Sequence, residues 1–331
     1  MQSRKGTPYP LAFSPGGRAV WCFSYGKKQQ LNSRANYNSA CGANDYRAYL
    51  SRDGKKPVIL LIGGIHGQET EGIVALCNLI SLLETGVDLN GDANEAIVEA
   101  TEKVRLVIIP CANPDGRARV EPSTMVGCTK EELAYWGQGT WKDGSLCLWP
   151  DCKKVHPILS SVARLGGYFN DNGINLMHDQ FFAPMAEETR ALLKLAEEEF
   201  ADVILLLHGG TNSLNDLQYP AYAPKEIYEA IAQLARRCDQ MARSEGLAFL
   251  KRPIPTMPSG ETPPSFNLTS ALHHVGGAVS ALFESNQCII DEAGPKLTME
   301  QIYRSHMILF EQTCREFAEQ MLVGEGGQES L

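Results

Sequence analysis

A short run of aliphatic residues is the feature that most constrains the fold of this chain. Residues 58–62 read Val-Ile-Leu-Leu-Ile, a pattern typical of a strand that is buried on both faces. Gly63 and Gly64 end the run, and a helical pattern of apolar residues begins at about Glu69. Because strands buried on both faces belong to the interior of parallel sheets, the pattern predicts an α/β protein.

His66 and Glu69 follow this strand directly, at the edge where open α/β sheets bind their ligands. A neutral imidazole and a carboxylate are both good zinc ligands, and a catalytic zinc site takes three protein ligands and one water. The spacing alone is a weak signal, since a turn histidine followed by a glutamate in the first helical turn is common in proteins without a metal.

Two later apolar runs also end in residues that can do chemistry. Residues 203–207 end at His208, which is the candidate for the third ligand, and residues 278–283 end at Glu284. A carboxylate at the end of a buried strand is costly unless it is paired or has a function. Between these runs, residues 113–116 read Asn-Pro-Asp-Gly directly after another apolar strand, which predicts a tight turn.

In this order the motifs resemble the zinc metallocarboxypeptidase family, the carboxypeptidase A-like enzymes, over roughly residues 45–290. The resemblance implies a single α/β domain over residues 1–331, with a mixed, mostly eight-stranded twisted sheet and helices on both faces. It also implies one catalytic zinc ion, held by His66, Glu69 and His208. Glu284 is then the general base, which takes a proton from the zinc-activated water and passes it to the leaving amine.

The resemblance also implies a basic residue that stabilises the tetrahedral oxyanion, because the family carries an arginine after the Asn-Pro-Asp-Gly turn. We rank Arg117 first for this role, followed by Lys142, in a Trp-Lys context similar to the family's Trp-Arg, and by Arg119. Each of them has a solvated surface charge as its alternative. Asp115 is either a hydrogen-bond partner of a zinc-bound histidine or a plain turn residue.

One departure from the family pattern concerns the substrate. Family carboxypeptidases carry Asp-Leu-Asn-Arg-Asn-Phe, whose Asn-Arg pair binds the terminal carboxylate of the substrate, but residues 173–181 here have Met177 and His178 at those two positions. Histidine cannot form the bidentate fork of arginine, although it can donate one hydrogen bond. Asn175 and His178 are predicted substrate contacts, and the alternative for His178 is a local contact. The family's tyrosine that folds over substrate has no clear counterpart in residues 261–267.

Three functions remain open from these residues. The first is a zinc peptidase or amidase acting on an atypical peptide. The second is an N-acyl amino acid deacylase that resembles the aspartoacylase and succinylglutamate desuccinylase branch, which shares the Gly-x-His-Gly-x-Glu start but usually lacks Asn-Pro-Asp-Gly. The third is a metal-binding module without catalysis. The expected partner is therefore a peptide or an N-acyl amino acid, and the sequence leaves the oligomeric state open.

The composition argues against several other classes of function. The net charge is −9 and no basic cluster occurs, so neither nucleic acid nor an anionic membrane surface is an expected partner. No apolar run reaches the length of a membrane span, and no secretory signal is visible. The 10 cysteines include no Cys-x-x-Cys pair, and the closest two, Cys147 and Cys152, are interpreted as unpaired thiols. These features together predict a cytoplasmic protein.

The remaining segments give a coarse expectation for the fold. A strand is predicted at residues 19–25, and a hairpin with strands at 46–50 and 58–62 around a turn at Asp53-Gly54. Residues 117–172 are predicted to form a long irregular loop or insertion that covers the site. Helices are predicted at residues 186–200, 224–245 and 298–322.

Overall fold

The protein is described from a computed structural model that covers residues 5–31, 35–50, 56–183, 186–210, 214–255 and 264–326. Within these ranges, seven strands form the main sheet and two form a small hairpin. In chain order the strands are Thr7–Phe13 (β1), Ala19–Tyr25 (β2), Val58–Ile62 (β3), Arg105–Ile109 (β4), Gly139–Trp141 (β5), Val162–Leu165 (β6), Val203–Gly210 (β7), Asp216–Gln218 (β8) and Val279–Asn286 (β9).

The main sheet has the order β1-β2-β4-β3-β7-β9-β8. The four inner strands β4, β3, β7 and β9 are mutually parallel, whereas β1, β2 and β8 pair antiparallel. All residues of β3 and β4 are buried, as expected for strands covered by helices on both faces. The prediction of a mixed α/β fold is confirmed.

Helices cover both faces of the sheet, since alternate residues along each inner strand enter two separate apolar cores. In chain order the helices are Tyr37–Gly42 (α1), Thr70–Thr85 (α2), Glu95–Glu102 (α3), Pro114–Arg119 (α4), Lys130–Gly137 (α5), Glu187–Glu198 (α6), Lys225–Ala242 (α7), Leu268–Gly276 (α8) and Met299–Gly326 (α9). One core packs against α2, α3, α7 and α9, and the other packs against α6 and α8. No helix in the described ranges combines the length and the apolar character that a bilayer span needs.

The structure differs from the expectation at the N-terminal end. The described main sheet has seven strands instead of mostly eight, and β1, which the sequence did not reveal, forms its outer edge against β2. The predicted strand at residues 46–50 is wrong, because Tyr46–Tyr49 forms a 3-10 turn whose Tyr49 side chain is buried against α8. The predicted turn at Asp53-Gly54 lies outside the described residues.

Two loop predictions also need correction. The Asn-Pro-Asp-Gly segment is not a tight turn but the start of α4, because Asn113 caps the helix by accepting from Gly116 N at 2.9 Å and Pro114 occupies the first helical turn. Residues 117–172 contain α5, the β5–β6 hairpin and 3-10 turns at Asp151–Lys154 and Leu159–Ser161. A small apolar cluster of four buried residues, which are Cys147, Cys152, Ile158 and Phe169, holds this segment together.

Candidate active site

The candidate site lies where the strand order reverses. From β3 the chain continues to β4 on one side, while β7 occupies the other side and β9 follows it. The loops that leave the carboxyl ends of two adjacent strands diverge at such a point and open a crevice. The residues at these strand ends are His66 after β3, His208 in β7 and Glu284 in β9, so the topology brings the three predicted positions to one place.

His66, Glu69 and His208 form a buried cluster whose ligand atoms all lie within 4.8 Å of one another. Glu69 lies between the two histidines, with Oε1 at 2.8 Å from His66 Nδ1 and Oε2 at 2.8 Å from His208 Nδ1. The pKa of Glu69 is lowered to about 2, because the favourable interactions with the two histidines outweigh the opposing effect of burial. The glutamate therefore faces both imidazoles as a carboxylate.

The protonation of His66 tests whether this cluster fits a metal. Burial lowers the pKa of His66, so the ring carries one proton. Its Nε2 lies 3.2 Å from Asn175 Oδ1, which is fixed as an acceptor because it also accepts from Met177 N at 2.9 Å. The ring therefore contacts an acceptor at each nitrogen but carries one proton, so one of the two contacts joins two lone pairs; when the proton is on Nε2, that contact is the one between Nδ1 and the Glu69 carboxylate. Two acceptors in contact inside a protein are compensated by a cation, and the His-Glu-His donor set fits zinc.

Glu284 lies beside the cluster, because its backbone pairs with that of His208 in the β7–β9 register. Burial raises the pKa of its carboxyl group to about 7, and the negative charge of Glu69 adds to this rise. A bound dication acts in the opposite direction and favours the carboxylate form. A carboxyl group with a pKa near neutrality is suited to accept and return a proton at physiological pH.

Two glycines near His66 and His208 lie in close contact with other parts of the site. A Cβ atom at Gly210 would collide with the Glu284 carboxylate, so the glycine after the His208 strand end makes room for that side chain. A Cβ atom at Gly67 would collide with the backbone of Gly116 and Arg117. The His-Gly and Asp-Gly parts of the two motifs therefore pack against each other, which explains why both occur in this chain.

Tyr168 covers one face of the His66 ring, and sequence reasoning missed it. Its ring stacks on His66 with centroids 3.8 Å apart and an interplanar angle of 11°. Burial and the charge of Glu69 raise the pKa of Tyr168 well above its usual value, so its hydroxyl stays protonated. Only its place in the predicted covering segment hinted at a role, because a single aromatic residue after two glycines has no periodic pattern.

Two of the three basic residues predicted for the oxyanion hold backbone carbonyls, and the third is exposed. Arg117 donates to the carbonyl oxygens of Gly67, Val120 and Pro122. Arg119 donates to the carbonyl oxygens of Gly166 and Phe169 and pairs with Asp171. Lys142 is exposed beside the β5–β6 hairpin. The first two guanidinium groups hold loops together, and the charge of Arg119 is in addition paired with Asp171.

The segment that replaces the family's carboxylate clamp lies next to the cluster. Asn175 Oδ1 contacts His66 Nε2, which is the kind of contact that the sequence left open for Asp115. The Asp115 carboxylate accepts from Ser14 and Arg18, at 2.6 Å and 2.8 Å, and so ties the N-terminal hairpin to α4. Met177 is buried in the apolar core, whereas His178 is half-buried.

Comparisons with known proteins agree with this fold and cluster. The sequence model of the family described as zinc carboxypeptidase matches residues 7–248, which is more than half of the chain. The chain belongs to the zinc carboxypeptidase family. The zinc prediction is thereby confirmed at the level of the family, and His66, Glu69 and His208 are the residues able to hold the ion.

Individual relatives are more distant. Human carboxypeptidase D is 36% identical over 67 residues, which are 20% of this chain and 5% of that protein. The structure of a metallo-carboxypeptidase from Burkholderia cenocepacia matches with a TM-score of 0.56 at 13% identity. The match covers 96% of this chain and 66% of that protein. The structure of a metallo-carboxypeptidase from Pseudomonas aeruginosa matches with a TM-score of 0.52 at 12% identity. This match covers 93% of this chain and 64% of that protein. The chain thus spans just under two thirds of these structures, which show a shared fold.

Proposed function

We propose that this protein is a zinc-dependent metallopeptidase that hydrolyses amide bonds, with Glu284 as its general base. The observation that carries the proposal is the pairing of His208 with Glu284 on adjacent parallel strands, so that a half-buried carboxyl group lies beside the His-Glu-His cluster. Zinc, when bound, supplies a water of lowered pKa and a Lewis acid for the scissile carbonyl.

The remaining steps fall to side chains of the chain itself. Glu284 accepts the proton of the attacking water and returns it to the leaving amine, which its raised pKa favours. Asn175 holds the proton of His66 on Nε2 and so keeps Nδ1 available as a ligand. Tyr168 covers the face of His66 and presents a protonated hydroxyl near Glu69 and Glu284.

A Glu284→Gln variant tests the base role. We expect it to keep its zinc and to lose activity by about two to four orders of magnitude, since the amide cannot take the proton. Glu188→Gln is the matched control, because Glu188, on α6, is a glutamate whose pKa burial likewise raises to about 7, but its carboxyl group contacts Asn170 instead of the cluster. Loss of zinc from Glu284→Gln, or full activity in it, would contradict the role.

The second candidate is an N-acyl amino acid deacylase. It is favoured by residues 173–181, which replace the family's carboxylate clamp. Met177 in this segment is buried in the core, and the segment contains no arginine. A mass-spectrometric assay distinguishes the two candidates. The protein is incubated with one pool that contains N-acyl amino acids and matched peptides with free or amidated C-termini. Release of C-terminal residues supports the peptidase, and turnover of the acyl amino acids alone supports the deacylase. A cytoplasmic location stays a prediction.

A further inference from the structure

A pocket outside the candidate active site lies between β2, α2 and α4. It is open to solvent and has a volume of about 680 Å³, within the roughly 300–1,000 Å³ range of small-molecule sites. The residues that line it, all within the described ranges, include no member of the His-Glu-His cluster, and they include neither Glu284 nor any of residues 173–181. This α2–α4 pocket is therefore distinct from the proposed catalytic site.

The wall of the α2–α4 pocket is almost entirely apolar. β2 contributes alternate residues from Ala19 to Phe23, which share one face of the strand. α2 contributes Cys77 and Ile80, which lie three positions apart and thus on one side of the helix. Burial raises the pKa of the Cys77 thiol, so this side chain lines the pocket as a small neutral group. Such a wall is suited to the apolar tail of a ligand.

Trp21 leaves a large apolar surface in water at this pocket. Its side chain belongs to the β2 wall and is 49% exposed. Phe13, which pairs with Ala19 across the β1–β2 ladder and so lies on the same face of the sheet, is 60% exposed. Exposed apolar surface that adjoins a pocket marks a ligand site, because a bound tail removes that surface from water.

Arg117 is the one charged residue on the wall of the pocket. Three backbone carbonyl oxygens accept from its guanidinium group, which has five N–H groups, so two remain for a ligand. Within the described residues no carboxylate pairs with Arg117, whereas Arg119 on the same helix pairs with Asp171. Because the carbonyl oxygens already hold the guanidinium in place, binding an anion costs little conformational entropy.

We propose that the α2–α4 pocket binds a small carboxylate with an apolar tail, with the tail against Trp21 and Ile80 and the carboxylate at the Arg117 guanidinium. A neutral apolar molecule would leave the half-buried charge of Arg117 without a partner, and a small polar anion would leave the apolar wall in water. The two parts of the ligand match the two parts of the wall. Since the pocket lies outside the catalytic site, binding there does not depend on the proposed function.

Calorimetric titration with octanoate and 2-naphthylacetate, which carry an alkyl and an aryl tail, tests the proposal. The primary amides of both acids keep the tail without the charge, and acetate keeps the charge without the tail. We expect at least one acid to bind about 10- to 100-fold more tightly than its amide, the range for a hydrogen bond to a charged group, and acetate not to bind measurably. The tighter acid identifies the type of tail. Equal affinities of acids and amides, or no binding of either acid, would overturn the proposal.

Variants of the wall locate the ligand. Arg117→Met should weaken binding of the acids about 10- to 100-fold and leave the amides unaffected. Arg119→Met, which removes a guanidinium group of the same helix outside the pocket, should leave both unaffected.

Because Arg117→Met also removes three backbone contacts, Ala118→Phe provides a second variant. Ala118 is an exposed residue of the pocket wall, so the larger side chain fits without disturbing the core and occupies the space of the tail. We expect it to weaken the acids and the amides alike by at least about 10-fold, with thermal stability unchanged. Octanoate and 2-naphthylacetate that bind to Ala118→Phe as they do to the unmodified protein would contradict the location.

Tryptophan fluorescence separates binding in this pocket from binding at the catalytic site. The chain has four tryptophans, of which Trp21 lines the pocket and the other three belong to residues 117–172. 8-Bromooctanoate quenches tryptophan on contact, so its quenching should disappear in Trp21→Phe, which keeps an aromatic wall, and persist in the control Trp149→Phe. Quenching that persists in Trp21→Phe and disappears in Trp149→Phe would place the acid at the catalytic site and overturn the proposal.

Discussion

The sheet edge and the segment that covers it are built on different amounts of core. The edge that carries His208 and Glu284 extends from parallel strands whose residues are buried under helices on both faces. The covering segment, residues 117–172, is held by a cluster of four buried residues and by hydrogen bonds to backbone carbonyls. Positions at the edge are therefore fixed by the global fold, whereas positions in the cover depend on local contacts.

In the proposed function, the sheet edge carries the metal ligands and the general base, whereas the covering segment contributes to substrate binding. Ligands and the general base must keep their geometry within a fraction of an ångström, and rigid strands provide that. The covering segment lies outside the sheet, where the chain can change without disturbing the strands. Replacements in the edge should therefore affect metal and rate, and replacements in the cover should affect substrate affinity or local stability.

The largest effect is expected from His208→Ala, which removes a ligand at the edge. Losing a residue that hydrogen-bonds to a metal ligand lowers metal affinity by roughly 10- to 100-fold. Losing the ligand itself should lower it further, and activity should fall together with metal affinity. Metal content by mass spectrometry after dialysis measures this. His306→Ala is the control, since His306 is an equally buried histidine on α9 whose Nδ1 bonds to Ile302 O. If both variants keep their metal, the ligand assignment is wrong.

Asn175→Ala should have an intermediate effect, because it removes the acceptor that fixes the His66 proton. Zinc affinity should fall about 10- to 100-fold, with KM nearly unchanged once the protein is saturated with zinc. A chelator competition assay measures the first and saturation kinetics the second. A rise in KM at full zinc occupancy would instead restore the predicted substrate-binding role of Asn175.

Arg117→Met should reduce stability more than catalysis, because three backbone carbonyls lose their donor. We expect the free energy of unfolding to fall by about 1–3 kcal/mol, the cost of leaving partly buried acceptors unpaired. Chemical denaturation measures it, alongside kcat at a temperature where the variant is folded. A large loss of kcat with unchanged stability would show that Arg117 does act on the oxyanion.

Lys142→Met should have the smallest effect, since its ammonium is exposed beside the β5–β6 hairpin. Stability should change by no more than about 0.5 kcal/mol, and kcat/KM should stay the same. Parallel assays of Lys142→Met and Lys154→Met provide two exposed lysines of the covering segment for comparison. A loss of activity confined to Lys142→Met would return this residue to the list of oxyanion partners.

The sequence by itself determined the inner strands and the residues at their ends. Runs such as Val58–Ile62 are recognisable because a strand buried on both faces must be apolar throughout, and the polar residue that ends such a run stands out. His66, Glu69, His208 and Glu284 were found in this way, and the structure brings them together. The family followed from the order of these motifs, and the family comparison confirms it.

Only the tertiary structure decided how the remaining polar groups are used. Arg117, Lys142 and Arg119 are ranked candidates from the sequence, but which of them faces a carbonyl, an aspartate or solvent depends on loops that meet through close backbone contacts. Tyr168 reaches the site through a core too small to leave a periodic pattern. Hydrophobic burial is encoded locally along a strand, whereas the partner of a charged side chain is set by distant segments.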